Sequence, residues 1–121
     1  MTANEIYRSV LALMFMDDND AAEYQKNFLV QLNMKLEECF ETNNSVRIAK
    51  GKEAMEEPPM IENLEEEVPY EFELTRSVIP LGIAGDLYVD DDETGISNDY
   101  RERYLAWKAS RVRARFCPAE V

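Results

Sequence analysis

No histidine occurs among the 121 residues, so there is no imidazole for a Ser-His-Asp or Cys-His nucleophile, an HExxH zinc site or a proton relay. Carboxylates are plentiful, 25 Asp and Glu against 13 Lys and Arg, yet no pair is singled out by spacing as an acid–base couple. One cluster is patterned: Asp90-Asp91-Asp92-Glu93-Thr94-Gly95. Asp90, Asp92, Thr94 and Gly95 match the opening of a calcium loop, but Arg101 stands where the closing bidentate Glu is required. The cluster therefore reads as a turn between helices. The four glycines are not grouped into a phosphate-cradling loop. Cys39 and Cys117 are too few for a disulfide framework and read as reduced thiols. No catalytic residue, metal ligand or cofactor-binding residue is assigned, and an enzyme is not expected.

The chemistry left is recognition. A net charge of −12 opposes a non-specific nucleic-acid binder, which needs a cationic surface. The charge is unevenly distributed: residues 53–75 hold nine acidic residues and no basic one, whereas residues 100–121 hold six basic residues against two acidic. A chain with an acidic middle and a basic end can dock head to tail with its own copies. Within the basic end, Arg111, Arg113 and Arg115 surround Phe116, an apolar anchor with guanidinium groups that suits a groove better than a plane. The overall charge disfavours DNA contact by the same helix.

These residues must be positioned by helices. Thr2-Ala3-Asn4-Glu5 is a capping box, followed at helical spacing by Ile6, Val10, Leu13 and Met14, with Asp17-Asp18-Asn19 as the expected stop. Tyr24, Phe28, Leu32, Leu36 and Phe40 recur every four residues and predict a second helix ending near Asn43-Asn44. A third helix is expected to open near Pro69, with Leu74, Val78, Leu81 and Leu87 inward and a kink at Pro80. Ser97 is expected to cap a fourth, with Tyr104, Leu105 and Trp107 in the core. The spacing thus predicts helices over 3–16, 20–42, 70–89 and 98–116.

The expected fold is all-α: a single domain over 1–121, with an N-terminal helical hairpin, two C-terminal helices and a short tail at 117–121. Residues 45–69 read as a long acidic arm, with a short strand permitted at Ser45–Lys50 and an extended path favoured by Pro58-Pro59. Val46, Ile48, Pro58, Pro59, Ile61 and Leu64 are its expected contacts with a neighbouring subunit. The longest apolar run, Val10–Met16, is far short of a membrane span, and the acidic start is unlike a secretory signal.

The stretch from Tyr70 to Tyr88 (YEFELTRSVIPLGIAGDLY), then Asp90-Asp91-Asp92, then Asn98-Asp99-Tyr100-Arg101-Glu102-Arg103-Tyr104, resembles head-to-tail adaptor proteins of tailed bacteriophages. The hairpin with Phe28-Leu29-Val30-Gln31-Leu32-Asn33 is similar to that family's N-terminal segment. The resemblance leaves out 45–66. It implies a structural virion protein of the neck, made in the bacterial cytoplasm. Such a protein forms a homo-oligomeric ring, commonly dodecameric, that joins the portal protein to a tail-side neck or tail protein. It also implies a C-terminal end near the portal, no sequence-specific nucleic-acid binding beyond transient genome passage, no membrane, no catalytic residues and no cofactor. The rival expectation is an acidic phage-type inhibitor or DNA mimic that occupies a basic partner, against which the basic helix at 100–116 counts.

Overall fold

A computed structural model describes residues 1–16, 22–90 and 94–116, and in the helices the side chains of 22–24, 26, 90 and 112–116 lie outside that description. The described chain is mostly helical and contains no strand. The first helix, α1 (Ala3–Leu13), starts at the expected capping box: Thr2 Oγ1 accepts from Glu5 N at 3.2 Å, and Glu5 Oε1 accepts from Thr2 N at 2.9 Å. It buries Ile6, Tyr7, Val10 and Leu11. Its end comes earlier than Asp17. Phe15 N donates to Ala12 O and Met16 N to Leu11 O, a Schellman closure with Phe15 in the left-handed region.

The expected second helix is two. The first, α2 (Ala22–Glu38), yields at Cys39 to α3 (Phe40–Ala49). Cys39 N still donates to Lys35 O and Asn43 N to Cys39 O, so the two helices nearly continue one another. Phe28, Leu32 and Leu36 form the buried stripe of α2, and Phe28 meets the Tyr7 ring at 4.9 Å between centroids. The permitted strand at Ser45–Lys50 is the end of α3. On a strand Val46 and Ile48 would share a face; here Val46 is buried and Ile48 exposed, as helical rotation requires. Asn43 and Asn44 are not breakers, because their amides have partners outside the helix. Gly51, at φ 81, closes α3 in a second Schellman motif.

The segment expected to protrude lies along its own domain instead. Ile61, Val68 and Tyr70 are buried in the core, with Met55 and Leu64 packed against it. Glu66 O and Leu64 O accept from Ala3 N and Asn4 N, satisfying the free first-turn amides of α1, and Val68 N donates to Met1 O. These bonds hold residues 52–69 as a strap along the domain, so Pro69 lies in the strap and not at a helix start.

A π-helical turn, Leu74–Val78, then leads into α4 (Ile79–Asp90). Ile79 N donates to Leu74 O, one residue beyond the α register, immediately before Pro80. Proline has no N–H and crowds the carbonyl four residues back, and the wider turn accommodates both. Buried residues occur on every side of α4, which is packed by α1, α2 and α5 (Thr94–Phe116). The last helix opens at Thr94, not at a Ser97 cap. Ser97 lies inside it, buried, with Oγ donating to Gly85 O at 2.7 Å.

Candidate functional site

Trp107 and Leu105 face outward, 42% and 59% exposed, and are not core residues. The α5 side that packs on α4 is set by Ser97 and Tyr104, and at 100° per residue Leu105 is turned well away from it. Trp107 sits at the edge of that side and walls a groove of about 420 Å³. Ala12 and Leu13 of α1 line it with buried Pro80 and Leu81 of α4, together with Arg76 and Arg103, which are exposed. A second depression of about 340 Å³ shares Arg76, Ser77 and Trp107 and adds Phe72 and Arg111.

The cations are held differently. Arg103 pairs with Asp99 one turn back at 3.1 Å. The Arg111 guanidinium lies 5.8 Å from the Trp107 ring centroid, and its Nε donates to Glu73 O. Arg76 is exposed and makes no hydrogen bond or ion pair with the described residues. Aromatic and arginine side chains are the types enriched in the energetic centres of protein–protein interfaces.

A second feature lies on the strap. Asn44 grips the backbone of Met55 at both ends, Oδ1 accepting from Met55 N at 2.8 Å and Nδ2 donating to Met55 O at 3.1 Å. Asn33 grips Ile61 in the same way, at 2.8 Å and 3.0 Å. Between the two clamps, Glu56 leads into Glu57-Pro58-Pro59-Met60, which forms a bank, or ridge, along a depression of about 440 Å³ that it shares with Val30, Asn33, Met34 and Glu37 of α2. Glu56 and Glu57 are exposed, Pro58 and Pro59 half-buried, and Met60 is 70% exposed.

Two polar nodes brace this frame. Buried Lys35 bridges Asp86 at 2.8 Å and Glu38 at 3.2 Å and lies over the Tyr104 ring, whose hydroxyl donates to Glu38 at 2.9 Å. Cys39 Sγ is 3.5 Å from the same hydroxyl, and burial pushes its thiol up, which suits a structural thiol and not a nucleophile. Burial also pushes the Tyr104 and Tyr70 hydroxyls up. In the second node, Lys52, Lys50 and Arg47 converge on the Glu71 carboxylate at 2.8, 3.2 and 3.4 Å. Burial raises the Glu71 pKa, but hydrogen bonds from Lys52 and Lys50 outweigh it and hold the carboxyl below its ordinary value.

The residues singled out from sequence are dispersed. Arg111 lines the second depression, which shares Trp107 with the groove, whereas the side chains of Arg113, Arg115 and Phe116 and the tail at 117–121, with Cys117, lie outside the described residues. Val46 and Ile61 are buried within their own domain, so they are not free for a neighbour; Ile48 is exposed, and Leu64 packs on the core. Only Pro58 and Pro59 of that set reach the ridge. Asp91–Glu93 of the acidic turn lie outside the described residues, among which no group of carboxylates and thiols is arranged to hold a metal ion. Among them, too, no helix is long and apolar enough to cross a membrane. Sequence reading missed Arg76, Asn33 and Asn44. The four-residue spacing of Arg103, Trp107 and Arg111 puts them on one side of α5 and is a signal that could have found that wall of the groove, but Trp107 was expected in the core and nothing local ties Arg76 to it. No protein-family model, curated protein or solved structure matches the chain.

Proposed function

We propose that the protein is a structural adaptor of a tailed bacteriophage, a ring subunit that joins the portal to the tail and lines the DNA passage. One observation carries this reading beyond the sequence resemblance. The same chain bears a basic, aromatic groove at Trp107 and an acidic, apolar ridge at 56–60, and the two share no residue. A subunit with two different, complementary surfaces associates head to tail, and where the rotation closes the product is a ring. The role is mechanical, not catalytic. The ring sits in the virion neck, and a wall with net charge −12 per subunit leaves passing DNA untrapped.

The portal contact is assigned to the C-terminal end of α5, Arg111, Arg113, Arg115 and Phe116, and the opposite end of the ring meets a tail-side protein. Truncation after Ala109 is expected to abolish portal binding while leaving helical content and melting behaviour close to those of the full chain. Unchanged affinity in a folded truncated chain rules the assignment out.

The net charge itself favours a second reading, an acidic inhibitor or DNA mimic acting on a basic partner. Light scattering and negative-stain imaging of the chain, alone and mixed with portal protein, separate the two. Closed rings are the expected result. A chain that stays monomeric in both samples supports the inhibitor.

A further inference from the structure

We infer that the Glu56–Met60 ridge of one subunit seats in the Trp107 groove of the next copy of this chain. The inference rests on the ring reading above and specifies its subunit contact. The ridge is held ready for binding. Each proline fixes its own φ and restricts the residue before it to extended conformations, so Glu57, Pro58 and Pro59 have little freedom left to lose. The Asn44 and Asn33 clamps hold Met55 and Ile61, the residues that flank the ridge. Ordering cost at docking, which weakens most loop-mediated contacts, is thereby small.

Composition and charge agree. Glu56 and Glu57 lie in a bend, and Pro58 to Met60 continue from it outside any helix. Prolines pack on aromatic-lined grooves, and here Pro58-Pro59 meets Trp107 over Pro80 and Leu81. Glu56 and Glu57 then face Arg76 and Arg103, of which Arg76 lacks an ionic partner among the described residues. A subunit does not fill its own groove, because its ridge is anchored over α2 by Asn33 while the groove lies between α1, α4 and α5. The occupant is therefore a second copy, and the contact is heterologous.

Trp107 is the chain's one tryptophan, so its fluorescence reports the groove without a label. The full chain is examined across a concentration series, alone and with portal protein, by acrylamide quenching, sedimentation and imaging. In assembled wild-type samples Trp107 is expected to be quenched several-fold less than in dilute ones, with the difference diminishing in high salt. Glu56→Lys with Glu57→Lys, and separately Arg76→Glu with Arg103→Glu, are each expected to weaken association at least tenfold with an unchanged circular dichroism spectrum. The chain carrying all four changes restores the complementarity in reverse and is expected to assemble again. Rings in which Trp107 is as quenchable as in the monomer overturn this contact and leave the ring reading standing. Charge-sensitive Trp107 protection in open chains or dimers supports the contact and overturns the ring. Charge-reversed variants that associate like wild type overturn the contact.

Discussion

Gly82 of α4 lies directly under the Tyr104 ring of α5: a Cβ at Gly82 would fall 2.9 Å from both Cδ1 and Cε1 of that ring and 3.0 Å from Lys35 Cδ. The tyrosine is buried and tied to Glu38, so it has little room to yield. Gly82→Ala sets an overpacking cost of about 1–3 kcal/mol against a helix-propensity gain of up to about 1 kcal/mol. Net destabilisation is expected, read as a lower urea midpoint. Gly95, in the first turn of α5, has nothing within 4 Å of its virtual Cβ. Gly95→Ala is expected to be neutral or to stabilise by up to about 1 kcal/mol.

Two helices end in the same hydrogen-bonded motif, α3 with Gly51 in the left-handed position and α1 with Phe15 at φ 56. Phe15 is 89% exposed, so no burial offsets the strain of a Cβ at that conformation. Phe15→Gly is expected to raise stability by about 1 kcal/mol, measured as a higher melting temperature. A decrease would mean that the ring makes contacts its exposure does not suggest.

Glu71 links stability to acid. Its folded pKa is depressed by Lys52 and Lys50 despite burial, so its contribution is complete above the unfolded value of about 4.3. That contribution is lost as pH falls through the lower folded value. Denaturation of wild type and Glu71→Gln from about pH 6 to about pH 3 is expected to show the largest difference at the upper end, with the two curves converging below the folded pKa. Parallel curves would show that the three cations do not act on this carboxylate.

The ridge depends on its clamps. Asn33→Ala leaves the Ile61 N–H and C=O without their side-chain partner, and Asn44→Ala does the same at Met55. Each loss is expected to cost about 1–3 kcal/mol. A glutamyl endopeptidase is expected to cut after Glu56 several-fold faster in either variant than in wild type. Equal cutting rates in wild type and variants would show that the asparagines do not order the ridge.

Core truncations separate buried leucines from exposed ones. Leu32→Ala, at a fully buried position, is expected to cost about 2–5 kcal/mol. Leu105→Ala, at an exposed one, is expected to stay within about 0.5 kcal/mol of wild type. Chemical denaturation of the two variants checks both values.

Local sequence determined the all-helical character and the parts of the fold that use short-range physics. The Thr2–Glu5 box starts α1 because both partners lie three residues apart, and Phe28, Leu32 and Leu36 bury together because helical spacing puts them on one stripe. Tertiary structure decided the rest. Whether Trp107 and Leu105 are inside or outside depends on where α5 meets α4, which Gly82, Gly85 and Ser97 set through close approach. The 45–69 segment carries no core-type period, so its own pattern did not reveal that Ile61 and Val68 fill the core or that its carbonyls cap α1. Asn33 and Asn44 read as ordinary helix residues until the strap brings Ile61 and Met55 against them, 28 and 11 residues away in the chain. Arg76 joins Trp107 only when α4, α5 and the π-helical turn have packed, because a groove between helices is a property of their arrangement and not of any one of them.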